Sequence, residues 1–312
     1  MYTTLPKAQK DPGATLPESS ASRIAHMSNR PAGHAARSTV RPNRETGRRG
    51  PIRTFLRTPD GIPVDSVYDP GAAVYEAFPH APEASSSPSR DLVFVVAHGF
   101  TGDVDRPHVR RVAGVLRGHG AVVTFSFRGH GRSGGRSTVG DKEVLDLAAA
   151  VEWARGFGHA RVVSVGFSMG GSVVLRHAAL HPGTVDAVVA VSAPARWYYR
   201  GTAPMRRLHW LVTRPAGRLV GRYGLRTRIH HRDWDPVPLA PVDAVSRLAP
   251  TPLLIVHGDR DGYFPLDHPR MLAEAAGDHG ELWVEPGMGH AEHAADDALV
   301  ARIGDWAASA AG

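Results

Sequence analysis

The stretch VVSVGFSMGGSVVLRHAAL, residues 162–180, decides the architecture. Its first half is a short apolar run rich in β-branched residues, the composition of a strand buried on both faces. Its second half, from Met169, carries apolar residues at helical spacing. Gly166-Phe167-Ser168-Met169-Gly170 joins the two. A serine between two glycines at a strand-to-helix turn is raised on a sharp bend, and the glycines are there because side chains would collide with the adjoining elements. With 34 glycines in 312 residues the five-residue pattern arises easily by chance, so its context carries the weight.

That context is a repeating succession. Further apolar runs lie at Leu92 to Ala97, Val122 to Phe127, Val185 to Val191 and Pro252 to His257, with a last strand expected at Glu281 to Glu285. Amphipathic segments between them predict helices at Val109 to Arg117, Glu143 to Arg155, Met169 to Leu180, Leu266 to Ala276 and Ala291 to Ala308. Alternation of this kind builds a mostly parallel sheet flanked by helices, an α/β fold. Ahead of it, Arg53 to Arg57 and Ile62 to Tyr68 read as a hairpin about the turn Thr58-Pro59-Asp60-Gly61, bringing the sheet to about eight strands. The succession breaks once, between Ala193 and Ala249. A connection that long is more than a compact sheet needs, and it predicts a helical cap inserted at about 194–248.

In open α/β sheets ligands bind outside the carboxyl ends of the strands, which is where Ser168 is expected. A serine hydroxyl attacks only when a base takes its proton, so a histidine oriented by a carboxylate is required. Both follow in chain order. Asp261 comes just after the Leu253 to Val256 run, and His290 lies past the last strand, before the final helix. Asp259 and His293 offer the same chemistry nearby. Asp259 is expected to brace its own loop by accepting backbone N–H groups, and His293 to sit on the final helix. The tetrahedral intermediate also needs preorganised donors. The N–H of Met169 and the N–H of Phe100, in the loop His98-Gly99-Phe100-Thr101-Gly102, are the candidates; His98 is read as a support for that loop.

These motifs in this order resemble the α/β-hydrolase superfamily, and within it capped serine hydrolases such as monoacylglycerol lipases and serine aminopeptidase-like esterases. A fifth motif, Phe127-Arg128-Gly129-His130-Gly131-Arg132-Ser133, is similar to the loop these proteins carry after their fourth strand. Ser126 stands where the family usually has Asp. The resemblance covers about residues 55–310 and implies hydrolysis of a carboxylic ester or related acyl bond through an acyl-enzyme, with no metal and no organic cofactor. Thioester, peptide and lipid substrates, and a silent ligand-binding homologue, remain open alternatives at this point.

The cap's aromatic residues, Trp197, Tyr198 and Trp210 foremost, are candidates for lining an acyl pocket. They are interleaved with ten arginines between Arg196 and Arg232. The other histidines, His230 and His231 included, lack metal-ligand spacing with nearby carboxylates, and no metal site is expected. The partner is accordingly a small acyl substrate.

Composition excludes other classes. There is no cysteine, so thiol nucleophiles, disulfides and Cys-ligated zinc are ruled out. The net charge of +7 suggests nucleic acid until it is located: residues 1–57 hold 11 Lys and Arg against 3 acidic residues, leaving 26 against 27 beyond. The basicity belongs to residues 1–50, read as a disordered tail preceding the hydrolase domain at 51–312. No aromatic residues interleave its arginines, so no nucleic-acid partner is expected. No run of about 18 apolar residues spans a membrane, and no apolar h-region follows Arg48-Arg49, so a cytoplasmic location is expected. Oligomeric state is not legible.

Overall fold

The computed structural model describes residues 50–72 and 91–312. The predicted N-terminal tail up to residue 49, and residues 73–90 with the Pro- and Ser-rich stretch His80 to Ser89 that the sequence places before the core, lie outside the described residues. Eight strands form one sheet: β1 (Ile52–Arg57), β2 (Pro63–Asp69), β3 (Leu92–Ala97), β4 (Ala121–Phe125), β5 (Arg161–Phe167), β6 (Ala187–Val191), β7 (Leu253–Gly258) and β8 (Gly280–Glu285). Their spatial order is β1-β2-β4-β3-β5-β6-β7-β8. The hairpin β1/β2 and the β2/β4 pair are antiparallel, and every pair from β4 to β8 is parallel. Each expected strand is present, with ends shifted by one or two residues.

The central strands β3 to β7 are almost wholly apolar because both faces are covered, whereas β1 and β8 at the sheet edges alternate or stay half-exposed. Along β3, Val93, Val95 and Ala97 face one core while Leu92, Phe94 and Val96 face the other. Side chains alternate along a strand, so a buried parallel strand needs apolar residues at every position. The first core is closed by α2 (Glu143–Gly156), α3 (Met169–Leu180) and α7 (Asp267–Ala276), the second by α1 (Pro107–Leu116) and α9 (Asp297–Ala310).

Between β6 and β7 the chain forms α4 (Ala203–Thr213), α5 (Pro215–Gly224) and the short α6 (Pro241–Val245). α4 packs on α5, whereas α6 packs on α3 and α7, within the body of the domain. Two isolated bridges, His130 to Thr227 and Ser137 to Ile229, fasten the segment after α5 to the loop that follows β4. That loop is itself held by Arg128. Its guanidinium, 3% exposed, donates to Asp146 and Asp60 at 2.7–3.0 Å, and its backbone N–H donates to Asp146 Oδ2. Burial pulls the Arg128 pKa down, and the two carboxylates outweigh it, so the charge is kept. Ser126, where the family usually has Asp, receives the Val104 N–H on its hydroxyl and the Ser133 hydroxyl on its carbonyl.

The single final helix expected from Ala291 differs in the structure. It is broken into α8 (Ala291–Ala294) and α9, because Ala295 is extended and Asp296 caps a new start by accepting from Leu299 N. Arg111, reaching across from α1, takes the carbonyls of Glu292 and Ala295 that a continuous helix would have used.

Candidate active site

Ser168 sits between β5 and α3 with φ +51° and ψ −111°, a region L-residues with side chains rarely occupy. The glycines explain how the turn closes. A Cβ on Gly166 would lie 2.2 Å from the carbonyl oxygen of Gly170, and one on Gly170 would lie 2.1 Å from the carbonyl oxygen of Ala97. Backbone occupies the space in both cases, so any side chain there would displace the elbow. Ser168 N–H donates to Val191 O of the neighbouring strand, fixing the serine's height above the sheet.

β3, β5, β7 and β8 run parallel, so the loops leaving their carboxyl ends emerge at one edge. Asp261 and His290 meet there. His290 Nδ1 lies 2.7 Å from Asp261 Oδ2, and His290 Nε2 lies 2.9 Å from Ser168 Oγ. The Asp261 side chain is fully buried and that of His290 is 17% exposed. Burial pulls the Asp261 pKa up, but the hydrogen bond and charge of His290 and the N–H groups of Phe264 and Tyr263, both on Oδ1, outweigh it and hold the group below the usual carboxylate range. It is therefore ionised at neutral pH. Tyr263 stacks on the imidazole, ring centroids 4.2 Å apart.

The two loops are close because they touch backbone to backbone. A Cβ on Gly258 would meet Met288 O at 2.1 Å, and Arg260 N–H donates to that same carbonyl. Asp259 Oδ1 accepts the Gly287 N–H at 2.6 Å, so it braces the neighbouring loop that carries His290, where a bond within its own loop was expected. His257 Nε2 donates to Phe264 O, closing the Asp261 loop from beneath. His293 lies on α8, the short first piece of the broken helix.

On the other side of Ser168 lies the loop after β3. His98 is fully buried; its Nδ1 donates to Gly99 O and its Nε2 accepts the Phe127 N–H. Burial, reinforced by neighbouring His130, holds its pKa down to about 3, so it is a neutral support and not a base. The Gly99 N–H donates to Glu292 Oε1 at 2.9 Å. Phe100 and Met169, the two backbone donors expected from sequence, both border the cavity that opens beside Ser168, and Met169 N–H belongs to the first turn of α3, where helical N–H groups have no partner in the helix.

The cavity has a volume of about 450 Å³. Apolar side chains from three elements line it, among them Val139, Met205, Leu208, Val212 and Phe264. Trp197 and Tyr198 line it as well, whereas Trp210 does not and is half exposed on α4. Trp234 also contributes, with its Nε1 donating to Thr138 O, while Trp197 Nε1 donates to Pro238 O. Two contributors carry almost no signal in the sequence. Trp234 is one of the cap aromatics though not among the three foremost candidates, whereas Ser192 and Glu292 belong to no motif. Ser192 Oγ accepts the Ala291 N–H next to His290, and the only signal for Glu292 was its place two residues past the histidine.

Comparison with known proteins agrees with this architecture. A sequence model described as alpha/beta hydrolase fold matches residues 93–214. A monoacylglycerol lipase from Mycolicibacterium smegmatis is 29% identical over 238 residues, covering 64% of this chain and 80% of that protein. Among solved structures, the esterase Pf2001 of Pyrococcus furiosus superposes with a TM-score of 0.63 at 23% identity, covering 84% of this chain and 91% of that one. The esterase domain of a Rhodothermus marinus protein does so with 0.57 at 20% identity, covering 84% and 100%. At these identities the two structures speak for the fold.

Proposed function

We propose that the chain is an ester-bond hydrolase of the α/β-hydrolase fold with Ser168, His290 and Asp261 as its catalytic triad, and that it cleaves carboxylic esters with an apolar acyl chain, of the monoacylglycerol type. The observation that carries this is the continuous relay from Asp261 through His290 to a strained serine at the mouth of an apolar cavity.

In this reading His290 Nε2 takes the Ser168 proton as Oγ attacks the acyl carbonyl, and Asp261 stabilises the imidazolium that forms. The developing oxyanion accepts from the N–H groups of Phe100 and Met169. His290 then protonates the leaving alkoxide, the acyl group stays on Ser168, and water activated by the same imidazole releases the acid. Segment 194–240 acts as the cap: α4, with Trp197, Tyr198 and Trp234 around it, supplies the apolar wall for the acyl chain. An apolar wall of this size favours a fatty acyl group over a peptide, whose polar backbone would lose its hydrogen bonds there. The named M. smegmatis relative supports the same substrate class.

The deciding assay is a panel of p-nitrophenyl esters of graded length, monoacylglycerols, acyl thioesters and aminoacyl amides. Preference for medium or long acyl esters is expected. A preference for aminoacyl amides, or activity surviving Ser168→Ala, would overturn the assignment.

A further inference from the structure

Next to the β3 loop, and outside the lining of the cavity, one side chain from α1 and two neighbouring ones from α8 converge. His108 is on the first turn of α1; Glu292 and His293 are on α8. One ligand atom from each, two imidazole nitrogens and a carboxylate oxygen, lies within 4.8 Å of the others. We propose that His108, Glu292 and His293 form a binding site for a borderline divalent transition metal of the zinc class.

Two features support this. The donor set, two imidazoles and one carboxylate, is one that zinc accepts, leaving a further position for water. His108 Nε2 is buried and makes no hydrogen bond, and it points to Glu292 Oε1 at 3.9 Å. A buried ring nitrogen without a partner is costly, and a cation supplies one. The imidazoles of His108 and His293 lie with centroids 3.7 Å apart and planes tilted by 42°, closer than two rings on one tetrahedral ion, so one ring has to turn away as its nitrogen meets the ion. Bonds of about 2.0–2.2 Å to one ion require the donors to close by roughly an ångström. The exposed His293 can make that adjustment, while the Glu292 side chain is only 4% exposed and held by Gly99.

The site has an outlet. A surface cavity of about 540 Å³, bordered by His293, Arg111, Asp296 and Asp297, gives an ion and its water access from solvent. Arg111 pairs with Asp297 there and also grips the carbonyls of Glu292 and Ala295. It thus ties α1 to α8 one turn from His108, and the metal would be a second tie between the same helices. A nearby cation weakens a metal site, so an affinity below that of a four-ligand structural zinc site is expected. Because Glu292 also holds the Gly99 N–H, an ion there would brace the β3 loop.

The full-length protein, stripped with EDTA and exchanged into metal-free buffer, tests this by calorimetric titration with Zn²⁺ and by Co²⁺ absorption. One equivalent is expected to bind in the micromolar range with a rise in Tm of several degrees, and Co²⁺ is expected to give visible bands of a low-coordinate histidine-carboxylate site. His108→Asn and His293→Asn should each weaken binding at least tenfold and abolish the Tm rise, with metal-free ester hydrolysis unchanged. Zn²⁺ binding that is absent in the wild type, or unaltered in both variants, would overturn the site. The exposed position of His293 makes its variant the one that keeps the test decisive if His108→Asn folds poorly.

Discussion

Replacing Asp261 by Asn separates the two carboxylates that the sequence offered. The carboxamide is nearly isosteric, and its oxygen can keep the N–H groups of Tyr263 and Phe264 that now bond Oδ1. Its NH₂ then faces His290 Nδ1, at the 2.7 Å contact where a carboxylate oxygen used to accept. A donor there forces Nδ1 to accept, so the proton moves to Nε2, and Nε2 can no longer take one from Ser168 Oγ at 2.9 Å. Loss of the correct tautomer and of the charge beside the imidazolium is worth ~10⁴-fold in kcat where it has been measured in a serine triad. That is about 5 kcal/mol of transition-state stabilisation. Asp259→Asn is the control. Its side chain accepts one N–H, from Gly287, and an amide oxygen serves as well, so less than about fivefold is expected, on the scale of ordinary surface substitutions. The assay is kcat and KM for a p-nitrophenyl ester at pH 7 to 8, with circular dichroism to establish equal folding. If Asp259→Asn lost more activity than Asp261→Asn, the relay described here would be wrong.

Other outcomes follow from the surrounding structure. Ser192→Ala strands the buried Ala291 N–H, which should cost about 1–3 kcal/mol in urea unfolding and lower kcat more than KM, since Ala291 fixes the residue before it. An unchanged kcat would remove Ser192 from the supports of His290. Asp146→Ala leaves Arg128 with Asp60 as its remaining carboxylate in a nearly fully buried place, and a loss of about 3 kcal/mol is expected; a loss under 1 kcal/mol would mean that the pair contributes little. Burial holds His98 and His177 to about 3 and His130 and His268 to about 4, against 6.5 in the unfolded chain. The unfolded state therefore binds more protons between pH 6.5 and 4, and stability should be complete above that window and fall as pH drops through it. Denaturation free energies that stay flat from pH 7 to 5 would contradict this.

The centre of the sheet was legible because β3 to β7 are buried on both faces and read as apolar runs, and the edge hairpin β1/β2 because a turn separates its strands. Each run appeared in place, and the ends were blurred by a residue or two because flanking turns share the same small residues. Ser168, Asp261 and His290 could be selected because each follows a strand at the same sheet edge. What could not be read was anything that depends on contact across the chain. The break between α8 and α9 rests on Arg111 reaching across from α1, and no local pattern announces it. Ser192 and Glu292 look like ordinary polar residues until β6 and β3 are set beside His290. The same holds for His108, far from Glu292 and His293 in sequence, and for the cavity wall, where Trp234 proved a lining residue and Trp210 an exposed one.

The short segment His290 to Glu292 explains why the final helix could not run unbroken. His290 has to point at Ser168, so it stands outside any helix, with extended backbone and the next residue at φ +55°. Ala291 spends its N–H on Ser192 from the β6 loop, and Glu292 spends its carboxylate on Gly99 from the β3 loop. Three consecutive residues thus engage the serine, the strand beside it and the loop offered as the oxyanion site. A helix begun at Ala291 can keep those three directions for only one turn before Ala295 turns away and Asp296 starts α9 in a frame free to pack on the sheet. His290, the proposed base, is therefore positioned by two contacts made by its neighbours. A change that tilts α8, whether a substitution at Ser192 or an ion between His108 and His293, therefore reaches the β3 loop through Glu292 and His290 through Ala291.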